Sequence, residues 1–239
     1  MASPSDNEAR LGSVNERVVA CIKCPRLVEW RSTVAREKRP AYAADRYWGR
    51  PVPSFGDPDA ELLIVGLAPG AHGANRTGRM FTGDRSGEWL FRALYRAGFA
   101  NQPDGRTADD GLCLSRAYIT AAVRCAPPSN RPTAAERDHC RPYLEEELEI
   151  FRSARVVVAL GGFAFDQVLR ILQRSGADVP RPRPKFSHGV EVDLGNRTVL
   201  GCYHPSQQNT FTGRLTESMF DAVWDRARRL ISPEVSVTR

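Results

Sequence analysis

Short apolar runs that alternate with helical segments constrain the fold of this 239-residue chain most strongly. Three such runs, at residues 61–67, 118–123 and 156–160, have the length and the aliphatic content of buried strands. A late pair of strands is predicted at residues 191–194 and 198–202. Strands that alternate with helices favour a parallel sheet with helices on both faces. The pattern therefore predicts an α/β fold.

The helices between these strands are indicated by apolar spacing and by signals at their ends. Pro25 can occupy the first turn of a helix over residues 25–38, and a second helix is predicted near residues 87–97. Thr133 and Glu136 form the pattern of a capping box, so a helix is predicted from there to about residue 151. A further helix is predicted at residues 163–172, and a last one along an apolar stripe of Phe220, Val223, Trp224, Ala227 and Ile231.

The two ends of the chain lack this periodicity. Residues 1–12 and 232–239 are rich in small and polar types, so we expect flexible tails around one domain over residues 13–231. No apolar run approaches the roughly 18–20 residues that cross a bilayer, and the first residues lack the pattern of a signal peptide. These features predict a soluble, monomeric, cytoplasmic protein without a membrane partner.

Cysteine usage indicates a metal site. Six cysteines in such a chain fit metal binding or catalysis better than a disulfide framework, which belongs to small secreted domains. Four of them form one Cys-x-x-Cys pair and a second pair separated by 14 residues: Cys21, Cys24, Cys125 and Cys140. Four thiolates suit a structural zinc ion or a four-iron, four-sulfur cluster, and the wide second pair favours the cluster. Cys113 and Cys202 have no partner at useful spacing.

Two loops that directly follow predicted strands contain most of the candidate chemistry. The first, residues 66–84, contains several glycines, which let a backbone approach a ligand closely. Its Gly-x-x-x-x-Gly spacing is similar to a P-loop, but Arg79 and Met80 replace the Lys-Ser/Thr pair that an NTPase requires. The second, residues 202–210, reads Cys-Tyr-His-Pro-Ser-Gln-Gln-Asn-Thr. Ligands of open α/β sheets bind beyond the carboxyl ends of strands, where both loops are expected.

Together the two loops resemble the signature motifs of the uracil-DNA glycosylase superfamily, above all its iron–sulfur branch, called type b or family 5. The resemblance runs from Cys21 to the final helix. It implies a three-layer α/β/α sandwich around a four-stranded parallel sheet, a [4Fe-4S] cluster on the four cysteines, and excision of uracil from DNA by hydrolysis of the N-glycosidic bond. The net charge of +6, supplied almost entirely by arginine, agrees with DNA as the partner.

The resemblance also implies roles for individual side chains. Phe81 would stack on a base flipped out of the helix, and His204 would donate a hydrogen bond to the base oxygen as negative charge develops there. The residues expected around the base are Gly66, Ala68, Gly70 and Ala121. Ser206 would hold a phosphate, with Arg79 and Asn209 as further phosphate candidates. From its own segment alone, His204 is interpreted more readily as a surface histidine in a polar turn, and only the pairing with the first loop favours the catalytic role.

Two departures from the family pattern bear on chemistry and specificity. Many members of the superfamily place an Asp or Asn where this chain has Ala68. The type-b branch is similar in lacking that group, which leaves Asp84 as the replacement carboxylate for activating water. The alternative, that Asp84 only caps the following helix, stays open. Ala121 stands where relatives commonly carry an Asn, so weaker discrimination and removal of hypoxanthine as well as uracil are expected. His188 is expected to be a hydrogen-bonded loop histidine.

Two other functions remain compatible with the residues. The same fold could bind DNA through a structural cluster and do no chemistry, although the presence of His204 argues against this. A metal-dependent nuclease is disfavoured because no paired carboxylates mark a magnesium site.

Overall fold

The structure is a computed structural model, and it describes residues 6–232. The helices are α1 (Asp6–Val19), α2 (Pro25–Glu37), α3 (Ala74–Thr77), α4 (Arg85–Arg96), α5 (Ala134–Ile150), α6 (Gly162–Arg174), α7 (Gln207–Phe211) and α8 (Glu217–Ile231). The strands are β1 (Phe55–Gly56), β2 (Leu62–Gly66), β3 (Ala117–Ala121), β4 (Val156–Leu160), β5 (Glu191–Asp193) and β6 (Thr198–Cys202). Short 3₁₀ turns cover Pro40–Tyr42 and Pro128–Asn130.

The sheet has the strand order β1-β3-β2-β4-β6-β5. Its four inner strands are parallel, and this confirms the predicted parallel core. The two edge strands are antiparallel additions: β1 pairs with β3 over two residues, and β5 forms a hairpin with β6. Because the inner strands are parallel, all four carboxyl ends lie at one edge of the sheet, where loops from different parts of the chain meet.

Alternate side chains of the inner strands enter two separate cores, as the period of a strand requires. Ile64 of β2 packs with the apolar stripes of α4 and α8 on one face. Leu63 and Val65 of the same strand pack with α1, α5 and α6 on the other face. Apolar burial on both faces gives the predicted three layers and explains why the inner strands are apolar throughout. The capping box at Thr133 and Glu136 is present at the start of α5.

The N-terminal segment differs from the prediction. Residues 6–12 belong to α1, so the expectation of a flexible tail is wrong for them. Leu11, Val14 and Val18 lie on one face of this helix and are buried against the layer that contains α5. Residues 1–5 and 233–239, which complete the two predicted tails, lie outside the described residues. Within residues 6–232, every helix is too short or too polar to cross a membrane.

Candidate active site

A cleft of about 710 Å³ opens at the edge of the sheet where the parallel strands end. Its walls come from the segment after α2, the loop after β2, the loop after β6 and the turn that precedes α5. The residues that line it include Arg39, Ala68, Gly70, Gly73, Phe81, Asp84, Arg85, Asn130, Arg131, His204 and Ser206. The fold thus brings the two sequence motifs together, since β2 and β6 both flank β4 and run in the same direction.

Phe81 forms one wall of the cleft in a strained conformation. Its φ of 55° lies in the left-handed region, which a bulky residue adopts only where its surroundings force it. The ring lies directly over Gly66 at the end of β2, because a Cβ at position 66 would stand 2.9 Å from two ring carbons. Gly66 therefore leaves the space that the Phe81 ring occupies and is itself buried beneath it. Phe81 is placed to offer a flat apolar surface to a planar ligand.

His204 faces Phe81 from the second loop. The two ring centroids are 5.8 Å apart and the rings are inclined by 29°. Burial lowers the pKa of His204 to about 4, so the imidazole is neutral at pH 7. Within residues 6–232, neither ring nitrogen of His204 has a hydrogen-bond partner. The ring is therefore a neutral donor that is free to bind a ligand in the cleft.

The backbone around His204 is held by two further side chains. Asn209 Nδ2 donates a hydrogen bond to the carbonyl oxygen of His204 at 2.8 Å. His188 Nδ1 accepts from the backbone N–H of Tyr203 at 3.2 Å, and its Nε2 lies 3.2 Å from the carbonyl oxygen of Met219. The expectation that His188 is a hydrogen-bonded loop histidine is therefore confirmed. Asn209 orients the histidine loop through its amide, which the sequence had suggested for phosphate binding.

Asp84 takes part in two arrangements at once. Its Oδ1 accepts a hydrogen bond from the backbone N–H of Gly87 at 3.1 Å, as the N-cap of α4. Its Oδ2 points to the loop after β2, where a Cβ at Gly73 would lie 2.1 Å away. Burial raises the pKa of Asp84 above that of an ordinary aspartate, while hydrogen bonds from the start of α4 oppose the shift. One oxygen caps the helix and the other remains in the cleft.

Two predicted ligand-binding residues lie elsewhere. Arg79 is 7% exposed, and its Nη2 donates to both carboxylate oxygens of Asp110, at 2.8 and 2.9 Å. This ion pair directs the guanidinium into the protein, so the prediction that Arg79 contacts DNA phosphate is wrong. Ala121 is 1% exposed and pairs with Gly66 inside the sheet. Because Ala121 belongs to the core and is not in the cleft wall, its predicted contact with the base is also wrong.

The sequence did not single out several residues that line the cleft. Arg39, Arg85 and Arg131 are exposed on its walls, and no carboxylate of residues 6–232 forms an ion pair with any of them. Arg85 also lies over the ring of Phe211, with its guanidinium carbon 4.6 Å from the ring centroid. Asn130, with a left-handed φ of 55°, lines the same cleft from the turn before α5. Arg85 directly follows Asp84, and Asn130 and Arg131 precede the capping box, but no sequence signal marks Arg39.

The four predicted cluster cysteines meet at a second, small cavity between α2 and α5. Cys21, Cys24, Cys125 and Cys140 all line it, together with Arg124. Burial raises the pKa of Cys24 to about 11 and that of Cys125 to about 12, and the neighbouring cysteines add to both shifts. Among residues 6–232, no three His, Cys, Asp or Glu side chains are arranged around a point that could hold one metal ion. Cys202 is buried apart from this cavity, and Cys113 is exposed.

Comparison with known proteins establishes the family. The profile of the Uracil DNA glycosylase superfamily matches residues 53–228, which include both loops of the cleft. The chain belongs to the uracil-DNA glycosylase superfamily. It is 53% identical over 228 residues to the type-5 uracil-DNA glycosylase of Mycobacterium leprae, which covers 95% of this chain and 98% of the relative. The type-5 enzyme of Thermus thermophilus is 48% identical over 216 residues, or 90% of this chain and 95% of that one.

The type-4 uracil-DNA glycosylase of Archaeoglobus fulgidus is more distant. It is 32% identical over 158 residues, which are 65% of this chain and 70% of that protein. The similarity to type-5 glycosylases over most of the chain confirms the predicted resemblance and the predicted α/β fold. The superfamily profile begins after Cys21 and Cys24, so this cysteine pair lies outside the matched region.

Proposed function

We propose that this chain removes uracil from DNA by hydrolysing the bond between the base and its deoxyribose. The observation that carries the proposal is the neutral His204 imidazole, which has free ring nitrogens and faces the Phe81 ring across the cleft. Relatives that are about half identical over nearly the whole chain are named uracil-DNA glycosylases, which supports the same reaction here.

The cleft residues divide the chemistry among them. A base inside a duplex is out of reach, so the nucleotide has to swing out of the helix, at a cost of a few kcal/mol. Phe81 stacks on the extruded ring and holds its plane. As the glycosidic bond breaks, negative charge grows on the base, and His204 stabilises it by donating a hydrogen bond to the base oxygen. A neutral imidazole suits this role because it makes the contact without needing to change its protonation state.

Asp84 is proposed to activate the water that attacks the sugar. Positive charge develops on the sugar and a water molecule has to attack it. The free Oδ2 of Asp84 accepts the proton of that water, while Oδ1 keeps the carboxylate fixed at the start of α4. The raised pKa of Asp84 makes it a stronger base than an exposed aspartate. The two roles left open by the sequence therefore belong to the two oxygens of one carboxylate.

The cleft also disfavours the other two functions. A DNA-binding module without activity has no need for a neutral histidine with free nitrogens opposite an aromatic residue whose backbone is held in the left-handed region. A magnesium-dependent nuclease needs paired carboxylates, and Asp84 is the one carboxylate in the wall of the cleft as described. Excision that continues in EDTA agrees with a glycosylase, whereas activity that stops on chelation agrees with the nuclease.

We extend the proposal to hypoxanthine as a second substrate. The support is the size of the cleft, since about 710 Å³ leaves room for a purine as well as a pyrimidine. Ala121 does not contribute, because it is buried outside the cleft. Single-turnover excision rates test this on two duplexes that are identical except for uracil or hypoxanthine at one position.

Phosphate binding is assigned to the exposed cations of the cleft in place of Arg79. Arg39 and Arg131 lie on its walls without a carboxylate partner among the described residues, and Ser206 offers a hydroxyl beside His204. A guanidinium that is not already paired can exchange water for a phosphate oxygen at little cost. These three side chains are proposed to hold the backbone on either side of the flipped nucleotide.

We expect Arg39→Ala or Arg131→Ala to weaken DNA binding and to make the affinity less sensitive to salt. Each lost phosphate contact should lower the slope of log affinity against log salt by about 0.9. The matched control is Arg152→Ala, because Arg152 precedes β4 at the opposite edge of the sheet and is 80% exposed. Titrations of one duplex at several salt concentrations measure the slopes. Equal slopes for all three variants and the unmodified protein would contradict the assignment.

We also propose that Cys21, Cys24, Cys125 and Cys140 hold a [4Fe-4S] cluster, as the resemblance to the iron–sulfur branch implies. The convergence of the four thiols on one cavity supports this. A cubane takes one thiolate per iron, so its sulfurs stand farther apart than the ligands of a single zinc ion. The wide spacing of Cys125 and Cys140 favours the cluster over zinc, whose ligands more often come in close Cys-x₂₋₄-Cys pairs. When bound, the cluster would tie α2, α5 and the end of β3 together.

Protein purified without oxygen should be brown and contain about four iron atoms per chain, because the ligand count matches one cubane. Metal analysis and the visible absorption spectrum measure this directly. Replacing Cys113 by serine is the control, since that thiol is exposed and apart from the cavity. One zinc atom per chain with no visible absorption would show that the cysteines bind zinc.

A further inference from the structure

Arg31 of α2 is a buried cation without a carboxylate partner. It is 5% exposed, and no carboxylate of residues 6–232 forms an ion pair with its guanidinium. Nη1 donates to the carbonyl oxygen of Gly49 at 3.0 Å, and Nε has no hydrogen-bond partner. A buried charge without a counter-charge is costly, so a folded protein keeps one only where something compensates it. The surroundings of Arg31 should therefore contain negative charge in the complete molecule.

The four-cysteine cavity lies next to Arg31 on the same face of α2. Cys24 precedes the helix, Leu27 lines the cavity, and Arg31 follows at helical spacing, so the three side chains form one stripe. The loop that accepts the hydrogen bond of Arg31 also reaches the cavity, because Pro51, two residues after Gly49, lines it. Arg31 is thus connected to the cavity both along its helix and through the loop over residues 49–51.

Arg124 is a second buried arginine at this cavity, and unlike Arg31 it has a carboxylate partner. It lines the same cavity and is 1% exposed, but its guanidinium donates to Glu147 and to Ser54. The charge of Arg124 is therefore neutralised inside the protein. Four thiolates around a cubane core of charge 2+ have a net charge of 2−. Glu147 adds a further negative charge, and the positive charge of Arg124 cancels only that of Glu147. Of the two buried guanidinium groups beside the cysteines, Arg31 is the one whose charge is still available.

We propose that Arg31 is the cationic partner of the four-cysteine site and stabilises its negatively charged, metal-bound form. This inference rests on the proposed cluster. Arg31 then affects the reduction potential of the cluster and its retention of iron, and it is separate from the residues that contact DNA.

Arg31 also connects the cysteine site to the cleft. Asn75, in α3 within the loop after β2, donates to the carbonyl oxygen of Arg31 at 3.3 Å. Asn75 is fully buried, and its backbone N–H donates to the carbonyl oxygen of Gly70 in the cleft wall at 3.0 Å. Gly49, which accepts from Arg31, donates in turn to the carbonyl oxygen of Asn75 at 3.0 Å. A counter-charge at the cysteines would hold Arg31 in place and, through it, the loop that binds the base.

The test compares Arg31→Met with Arg31→Lys in protein purified without oxygen. Removing the positive charge should lower the equilibrium constant for one-electron reduction of the cluster at least tenfold, a shift of about 59 mV to more negative potential per factor of ten. Release of iron to a chelator should also become faster. Arg31→Lys keeps the charge and should retain most of both properties. Midpoint potentials from spectroscopic titration and rates of iron release provide readouts that do not depend on excision.

Arg36→Met is the matched control, because Arg36 lies on the same helix and its side chain is 72% exposed. It should behave like the unmodified protein. An Arg31→Met variant with full iron content, unchanged potential and unchanged iron release would overturn the role of Arg31 and leave the cluster intact. Equal loss of iron in the Met and Lys variants would overturn it too, because the charge would then be irrelevant. Unmodified protein without iron would instead overturn the proposed cluster.

Discussion

Replacing His204 by alanine is expected to lower the single-turnover rate of uracil excision by roughly 10²–10³, with little change in DNA affinity. The contact from the imidazole to the base oxygen strengthens only as the glycosidic bond breaks, so its loss raises the barrier more than it weakens binding. Single-turnover rates and equilibrium binding to the same uracil-containing duplex separate the two effects.

His204→Gln is the informative companion variant, because a side-chain amide keeps an N–H donor at a similar reach. It should retain part of the rate that the alanine variant loses. Since burial lowers the pKa of His204 to about 4, the ring is neutral from pH 6 to 9 and should add no step to the pH profile there. A variant that loses affinity at an unchanged excision rate would show that His204 only binds DNA.

Asp84→Asn should reduce excision by roughly 10² or more, within the range expected for a positioned general base. Asparagine is as good an N-cap as aspartate, so α4 should keep its start and the protein its stability. Asp84→Ala removes the cap as well and should lower the free energy of unfolding by about 1 kcal/mol in addition to the loss of rate. Excision rates and denaturant unfolding of the two variants separate the capping oxygen from the catalytic one.

The pH profile gives a second test of Asp84. Excision needs the ionised carboxylate, so the rate should fall as pH drops through the pKa of Asp84. Burial raises that pKa, and the fall should therefore begin at a higher pH than for an ordinary aspartate. The Asp84→Asn variant should lack this acid limb. An Asp84→Asn variant with the rate and pH profile of the unmodified protein would leave Asp84 as a helix cap only.

The sequence was sufficient where one local rule controls the outcome. Buried strands such as β2 and β4 are short apolar runs, and Thr133 with Glu136 is a complete capping signal within four positions. The site followed from the same topology, because the loops that contain Phe81 and His204 leave parallel strands at one edge of the sheet. The four cysteines of the cavity could be selected by their spacing together with the resemblance to the iron–sulfur branch.

Side-chain direction was harder to predict because it depends on partners distant in the chain. Arg79 is two residues before Phe81, yet Asp110, 31 residues away, draws its guanidinium into the protein. Ala121 ends a strand beside the cleft, but its position in the sheet places it in the core. Helix α1 was missed because its polar residues outnumber the apolar stripe that includes Leu11 and Val14, and only α5 explains that stripe.

The most direct test of the proposed function is release of free uracil from a duplex that contains one uracil opposite guanine. The unmodified protein should release uracil and leave an equal amount of alkali-labile abasic sites, and a matched duplex with thymine should stay intact. His204→Ala should bind the same duplex and release uracil roughly 10²–10³ times more slowly. Tight binding of the uracil duplex by the unmodified protein, without release of the base, would contradict the account and indicate a DNA-binding protein without glycosylase activity.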